Sequence, residues 1–478
     1  MSPGKLASTL LAVVSIAASC SSGTHGARAA PPSGVYSRAA VFSGPITVGH
    51  VIEPEEAGRA GLPSGYVEQE FFASGTATAL RGVSEPRDGR WTVKPSGAAP
   101  YETRILVRRP ADPRRFNGTV VVEWLNVTAG ESDPDWGYLN PELADAGYAY
   151  VGVSVQALGV EGGTGLLGTG ASKGLIRSEP ARYGKLHHPG DRFALDMFAQ
   201  IGRGLRQNHA VLGGLQPKHI DAIGESQSAF FLTTFANALQ PLTDAYDGLF
   251  IHSRGGAGVP LTGGSITSGA SSSGQQIRTD LKVPVFMFET ETDVAVLGYA
   301  SARQPDTRMI RTWEVAGTAH ADAYLVGSFA NQLGCPKPIN DGPQHEVVQA
   351  AFAWFTKWVA DGKPPPSPSP LRLASSHPVK LALDANGNAL GGVRTPAVDV
   401  PVSTLSGVPT PGGKPLCTLF GSTTAFNGSR LAALYHSSGR YLARYTTDLD
   451  RAIAGGYILA SDRSELLQGA AHVQVTAG

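Results

Sequence analysis

The chain has 478 residues, enough for one large domain or two ordinary ones. Its 39 basic and 39 acidic residues cancel, which argues against a nucleic-acid partner, since a phosphate backbone selects a basic face. The composition is globular, 42% hydrophobic and 16% charged, and 59 glycines with 34 prolines predict long surface loops rather than a helical bundle.

Residues 1–30 read as a targeting segment. "MSPGK" carries one positive charge and precedes "LASTLLAVVSIAA" (6–18). That apolar run is too short to cross a bilayer as a helix and has the length of a secretory signal. Two processing routes are open. "AASC", ending at Cys20, resembles a bacterial lipoprotein cleavage box, which would leave a lipid anchor on Cys20, although Ala17 stands where a larger aliphatic is usual. Ala27-Arg28-Ala29 fits ordinary A-x-A release. Either route predicts an exported protein: periplasmic, held at the cell surface, or secreted.

The fold then begins with an antiparallel section. "YVEQEFFASGTATAL" (66–80) and "TRILVR" (103–108) are rich in β-branched and aromatic residues. A different rhythm follows. "TVVVEWL" (119–125), "YAYVGVSV" (148–155), "HIDAI" (219–223), "GLFIH" (248–252), "VPVFMF" (283–288) and "IRTWEV" (310–315) are mostly apolar runs, as expected of strands buried on both faces. Helical patterns lie between them at 141–147, 191–207 and 228–239, and a last one covers 345–362 with Gly362 as its stop. Alternating strands and helices predict an α/β fold with a mostly parallel, doubly wound sheet. Residues 156–190 and 255–279 have no period and are candidate loops or a lid over a site. Residues 31–362 are thus expected to form one domain. A stiff "KPPPSPSP" (363–370) leads into residues 363–478, expected to be an appendage packed on it, with a turn at "DANGN" (384–388).

Cys335 and Cys417 remain beyond Cys20, and an even pair in an exported chain predicts one disulfide. No C-x-x-C spacing is present, and His187-His188 lacks a second pair at helical spacing, so no metal is expected. No glycine pair is followed by Gly-Lys-Ser/Thr, so no phosphate loop is expected either.

The chemistry concentrates in "DAIGESQSAFFLTTFANAL" (221–239). Gly224-Glu225-Ser226-Gln227-Ser228 differs by one residue from G-x-S-x-G, the strand–turn–helix elbow that exposes a nucleophilic serine. A serine hydroxyl needs a base, an acid behind the base, and donors for the oxyanion. His320, in the loop of "WEVAGTAHADAY" (313–324), is the candidate base, with His345 its competitor. "VPVFMFETETDV" (283–294) ends a strand with Glu289, Glu291 and Asp293. Asp293 lies farthest past the strand and is the preferred acid, with Glu291 as fallback and Glu289 least suited. The expected oxyanion donors are the Gln227 N–H and an N–H from the loop after 119–125, around Leu125, Asn126 and Val127.

Serine, acid, histidine is the chain order of the α/β-hydrolase superfamily, which residues 119–362 resemble in strand order and elbow. More closely, "GESQSAF", "RQPDT" (303–307), "WEVAGTAHADAY" and "INDGPQH" (339–345) resemble phrases of a bacterial family of α/β-hydrolase domain proteins whose serine sits in G-x-S-x-S. The resemblance implies a small-molecule ester as substrate and no cofactor. It leaves open amide or peptide cleavage by the same residues, and a non-catalytic binding lipoprotein on a hydrolase fold. It implies nothing about oligomeric state.

Overall fold

The computed structural model describes residues 34–54, 61–128, 130–164, 171–263 and 274–475. The signal segment and Cys20 lie outside them, as do parts of the two aperiodic segments.

A nine-stranded sheet organises the chain. Its strands are β1 (Val41–Ser43), β2 (Tyr66–Ser84), β3 (Thr92–Pro110), β4 (Thr119–Trp124), β5 (Ala149–Val153), β6 (His219–Glu225), β7 (Gly248–His252), β8 (Val285–Thr290) and β9 (Ile310–Val315). Their spatial order is β1-β2-β3-β5-β4-β6-β7-β8-β9. The β1–β2, β2–β3 and β3–β5 pairs are antiparallel; every pair from β5 to β9 is parallel. The expected antiparallel opening and parallel body are therefore one continuous sheet.

Helices cover both faces, which is why the central strands are apolar throughout. On one face α1 (Pro134–Asp145) brings Trp136, Tyr138 and Leu139 against Val121, Ile223, Phe250 and Phe286. On the other, α2 (Ala194–Gln207) and α3 (Gln227–Ala238) bring Phe198, Ile201, Phe231 and Phe235 against Val120, Val122, Ala222 and Ile251. The long helix α4 (Gln344–Asp361) lies on the α1 face, packing Val347, Phe352 and Phe355 there, and ends at Gly362 in a left-handed conformation.

Helix α1 starts earlier than the sequence predicts and runs through Pro141. A proline there cannot donate to the carbonyl of Gly137, four residues back. The Asn140 side chain supplies the missing donor, its Nδ2 lying 3.2 Å from the carbonyls of both Trp136 and Gly137.

The appendage is fastened along the sheet edge. Arg311 Nε and the Trp313 indole N–H, both on β9, donate to the carbonyls of Pro365 and Pro366 in the proline-rich stretch. Val393 pairs beside Val315, so the exposed edge is capped rather than left free to pair. A two-stranded ribbon, β10 (Ser403–Ser406) with β11 (Ser422–Ala425), follows. Three helices, α5 (Gly428–Tyr435), α6 (Ser438–Ala454) and α7 (Arg463–Ala471), end the described chain around a small core of Tyr435, Tyr441 and Ala470. Cys335 and Cys417 are joined by a disulfide.

Candidate active site

Strand β6 ends at Glu225 and α3 begins at Gln227, which leaves Ser226 alone in the turn between them. It takes φ 57° and ψ −121°, a region that side chains avoid unless the surroundings impose it. Its N–H donates to the carbonyl of His252 at 2.9 Å, and its carbonyl accepts from the Phe230 N–H at 3.2 Å. The turn is tight: a β-carbon at Gly224 would lie 2.9 Å from the Ser228 Cβ and 3.1 Å from Leu232. The small side chain of Ser228 thus fits where the usual pattern has glycine, and the glycine that cannot change is Gly224.

Two strand ends bring partners to Ser226. Its Oγ lies 2.6 Å from His320 Nε2. His320 Nδ1 lies 2.7 Å from Asp293 Oδ1. With Nδ1–H donating to that carboxylate, Nε2 is the bare nitrogen and accepts the Ser226 hydroxyl. Asp293 is held in turn. Its other oxygen accepts from the Thr290 N–H and hydroxyl, both at 2.7 Å, a reciprocal cap on the one-turn helix Glu291–Ala295. All three residues are nearly shielded from solvent, Ser226 at 9% exposure and His320 at 3%.

The other candidates stand elsewhere. Glu291, two residues before Asp293, accepts from the backbone N–H of Gly317 at 2.7 Å and of Gly407 at 2.9 Å. Burial pushes its carboxyl up to about 7, against the pull of those two N–H groups. Glu289 stays inside β8 and is fully buried. His345 stacks flat on Tyr324, ring centres 3.9 Å apart, at the start of α4.

The expected second oxyanion donor is corrected by the backbone geometry. The Leu125 N–H donates to Val153 O at 3.3 Å and the Asn126 N–H to Ser132 O at 2.9 Å. Both are consumed in anchoring the loop after β4, so neither is available to an oxyanion. The Val127 N–H is also engaged, by Gln227 Oε1 at 3.1 Å. That loop therefore braces the elbow instead, helped by the Asn126 amide donating to Glu225 O at 3.2 Å. The Gln227 backbone N–H is different: it opens α3, where no helical acceptor exists for it.

A buried acidic group beneath the elbow was not anticipated. Glu225 Oε1 lies 3.7 Å from His320 Nε2, beyond hydrogen-bond distance. Burial first, and then the neighbouring carboxylates of Asp135, Asp293 and Glu123, hold the Glu225 carboxyl well above its ordinary range. Beside it in the sheet, His252 Nδ1 lies 2.8 Å from Asp135 Oδ1, with both residues buried. The signal was present in the sequence: "DAIGE" carries acids in a strand that is covered on both faces, where a charge cannot be solvated.

Among the described residues no group of three or more His, Cys, Asp or Glu side chains is placed to hold a metal ion. His188, one of the adjacent histidine pair, is buried with Nε2 on the Val155 carbonyl at 2.9 Å. No helix of the described residues is long and apolar enough to cross a membrane.

A family model described as an alpha/beta hydrolase domain matches residues 42–468, which spans both the sheet body and the appendage. No curated protein matches the chain. Solved structures similar to it include a fungal esterase from Rhizomucor miehei, 11% identical over 64% of this chain and 87% of that one, at a TM-score of 0.33. A glucuronoyl esterase from Teredinibacter turnerae is 14% identical over 56% and 66% of the two chains, at 0.27. An acetyl xylan esterase from Thermoanaerobacterium sp. is 11% identical over 55% and 80%, at 0.28. Similarity at this level does not fix a substrate.

Proposed function

The chain belongs to the α/β-hydrolase domain family, and from that premise we propose that it is an exported serine hydrolase that cleaves carboxylic esters of small molecules. The observation that carries the reading is the hydrogen-bonded series Ser226 Oγ, His320 Nε2, His320 Nδ1, Asp293 Oδ1. A nucleophile, a base and an orienting acid in hydrogen-bonded series are what nucleophilic acyl transfer requires, and that supports the reading.

In this reading Ser226 Oγ attacks the ester carbonyl carbon while its proton passes to His320 Nε2. The carbonyl π-electrons move onto oxygen. The Gln227 N–H faces that oxyanion, a donor of a kind worth about 3–4 kcal/mol of transition-state stabilisation. Asp293 holds the imidazole in the tautomer that leaves Nε2 bare and stabilises the imidazolium once it forms. The tetrahedral intermediate collapses, the C–O bond to the alcohol breaks, and the leaving oxygen takes the proton from His320. Water then gives its proton to Nε2 and attacks the acyl-Ser226 carbonyl. The acid departs as Ser226 recovers its proton from the imidazolium.

The test is covalent. A fluorophosphonate probe should label native enzyme at Ser226 and spare heat-denatured protein, while a panel of nitrophenyl esters and peptides reads the preferred bond. Ser226→Ala should lower turnover by several orders of magnitude with little change in folding, because one hydroxyl is lost at a turn. A variant keeping more than about a tenth of the activity would remove Ser226 from the role.

A further inference from the structure

We infer that the loop of the appendage ribbon, residues 407–421, is part of the active-site framework, and that Gly407 is a positioning residue that sets the spacing between the acid turn and the histidine loop. The inference rests on the Ser226 reading above and adds to it what holds His320 and Asp293 together.

Three stretches distant in sequence meet behind the histidine. The acid turn contributes Glu291 and Thr292, adjoining Asp293. The histidine loop contributes Gly317, Thr318, Ala319 and His320. The ribbon contributes Gly407 and Gly421. Both sides of Gly407 are gripped by the acid turn: its N–H donates to Glu291 Oε2 at 2.9 Å, and its carbonyl accepts from the Thr292 hydroxyl at 2.6 Å. The same two side chains also hold the histidine loop. Glu291 Oε1 accepts from the Gly317 N–H at 2.7 Å, and Thr292 Oγ1 accepts from the His320 N–H at 3.1 Å. One hydroxyl thus links the backbone of the candidate base to a residue 115 positions past itself. Two further ties close the junction: the Ala321 N–H donates to Leu419 O at 3.1 Å, and Asn340 Nδ2 bridges the carbonyls of Gly317 and Ser406 at 3.1 and 3.2 Å.

The junction has no slack. A β-carbon at Gly407 would stand 2.5 Å from the Glu291 Cβ, 2.5 Å from the Thr318 carbonyl oxygen and 2.7 Å from the Thr292 nitrogen. Its φ is not positive, so close approach alone demands glycine at this position. Across the junction, a β-carbon at Gly421 would press to 3.0 Å on the Ala319 Cβ, one residue before His320. A methyl group at 407 must therefore wedge the acid turn away from the histidine loop. The 2.7 Å contact between Asp293 and His320 lies across that wedge. A displacement of about 1 Å in a catalytic constellation costs on the order of 100-fold in rate.

The decisive experiment compares Gly407→Ala, Thr292→Val and Thr292→Ser in the full chain. Each is assayed for kcat, KM and the rate of fluorophosphonate labelling, well below its own melting temperature. Gly407→Ala is expected to lower kcat about 100-fold and slow labelling in proportion, with KM within about threefold of wild type, because position 407 packs on the acid turn and the histidine loop. Thr292→Val keeps the shape and loses the hydroxyl, so kcat should fall; Thr292→Ser restores the hydroxyl and should recover most of it. Should Gly407→Ala not fold, the threonine pair decides alone. If Thr292→Val, or a folded Gly407→Ala, turns over within about threefold of wild type while wild type still labels on Ser226, the positioning role is overturned and the hydrolase reading stands. If wild type does not label on Ser226, it is the hydrolase reading that fails.

Discussion

Asp293 and Glu291 share one turn, and hydrogen bonding separates their roles. Asp293 has one oxygen filled by two donors from Thr290 and the other facing His320. In Asp293→Asn the remaining oxygen will keep the Thr290 donors, which turns the amide N–H₂ toward the imidazole. Two donors cannot face each other, so the proton must leave Nδ1 for Nε2, and Nε2 can then no longer accept from Ser226. Turnover should drop by about three to four orders of magnitude without loss of fold. Glu291→Gln removes one of the two side-chain oxygens that accept from the Gly317 and Gly407 N–H groups and leaves the imidazole tautomer intact, so its loss should be far milder. Steady-state kinetics on the two variants give the order, and the reverse order would take Asp293 out of the role. Ser226, His320 and Asp293 were legible because reactive side chains at strand ends have few structural reasons to be there. The oxyanion donors were not, since any residue supplies an N–H and only the path of the chain decides where it goes. Leu125 and Asn126 illustrate this, each having its N–H spent within its own loop.

Strands β7 and β9 match the sequence reading to the residue, each ending where its β-forming residues give way to a loop of small and polar residues. Strand β3 does not. It extends from the expected 103–108 back to Thr92, through "KPSGAAP", where Pro95, Gly97 and Pro100 disfavour a strand. Pairing with β2 along its length keeps it extended, while β5 pairs with it only from Ile105 to Arg108. The residues before Glu102, which itself bridges to His187, have no second partner strand among the described residues, so a missing proline N–H breaks no ladder on that edge. The ribbon that packs on the histidine loop was equally illegible: a glycine chosen for close approach looks like any other glycine. The disulfide gives that ribbon a test of its own. It joins residues separated by 82 positions, and Cys417 lies in the loop that carries Gly407 and Gly421. Closing such a loop stabilises by about 4–5 kcal/mol in the chain-entropy model. The double variant Cys335→Ser/Cys417→Ser should therefore show a lowered denaturant midpoint. It should also lose activity at temperatures where far-ultraviolet circular dichroism still reports a folded sheet, because the ribbon is released before the body unfolds. Unchanged midpoint and unchanged thermal inactivation would show that the ribbon is held well enough without the bridge.

At the scale of the whole molecule, the interior carries many acids whose pKa burial raises. Desolvation raises Asp133 to about 6, Glu291 and Asp322 to about 7, and Glu346 to about 8, and it lifts Glu123 and Glu225 well above the ordinary range. A group of this kind retains its proton in the folded chain after the unfolded chain has released it. Below about pH 4 both states are protonated and the group has no effect on stability. Above that, the unfolded chain binds fewer protons, so each rise in pH favours unfolding by up to about 1.4 kcal/mol per unit and per group, until the folded group ionises in its turn. For Asp133 the loss runs from 3.8 to about 6, for Glu291 from 4.5 to about 7, and for Glu346 from 4.5 to about 8. The carboxylates with lowered values, Asp112, Asp280 and Asp450, act in the opposite sense, and their contribution is lost only as pH falls through the acid range below 3.8. Stability should therefore peak near about pH 4 and decline toward pH 8. Turnover should move the other way over the acid part of that range, because a base must be unprotonated to take the Ser226 proton and acidification protonates imidazole. Melting temperatures and kcat/KM measured on the same samples between about pH 4.5 and 8.5 test both trends together. The expected result is a stability optimum on the acid side of the activity optimum. A melting temperature that climbs steadily from pH 5 to pH 8 would mean that the buried acids are ionised in the folded chain, each paired more tightly than its surroundings indicate.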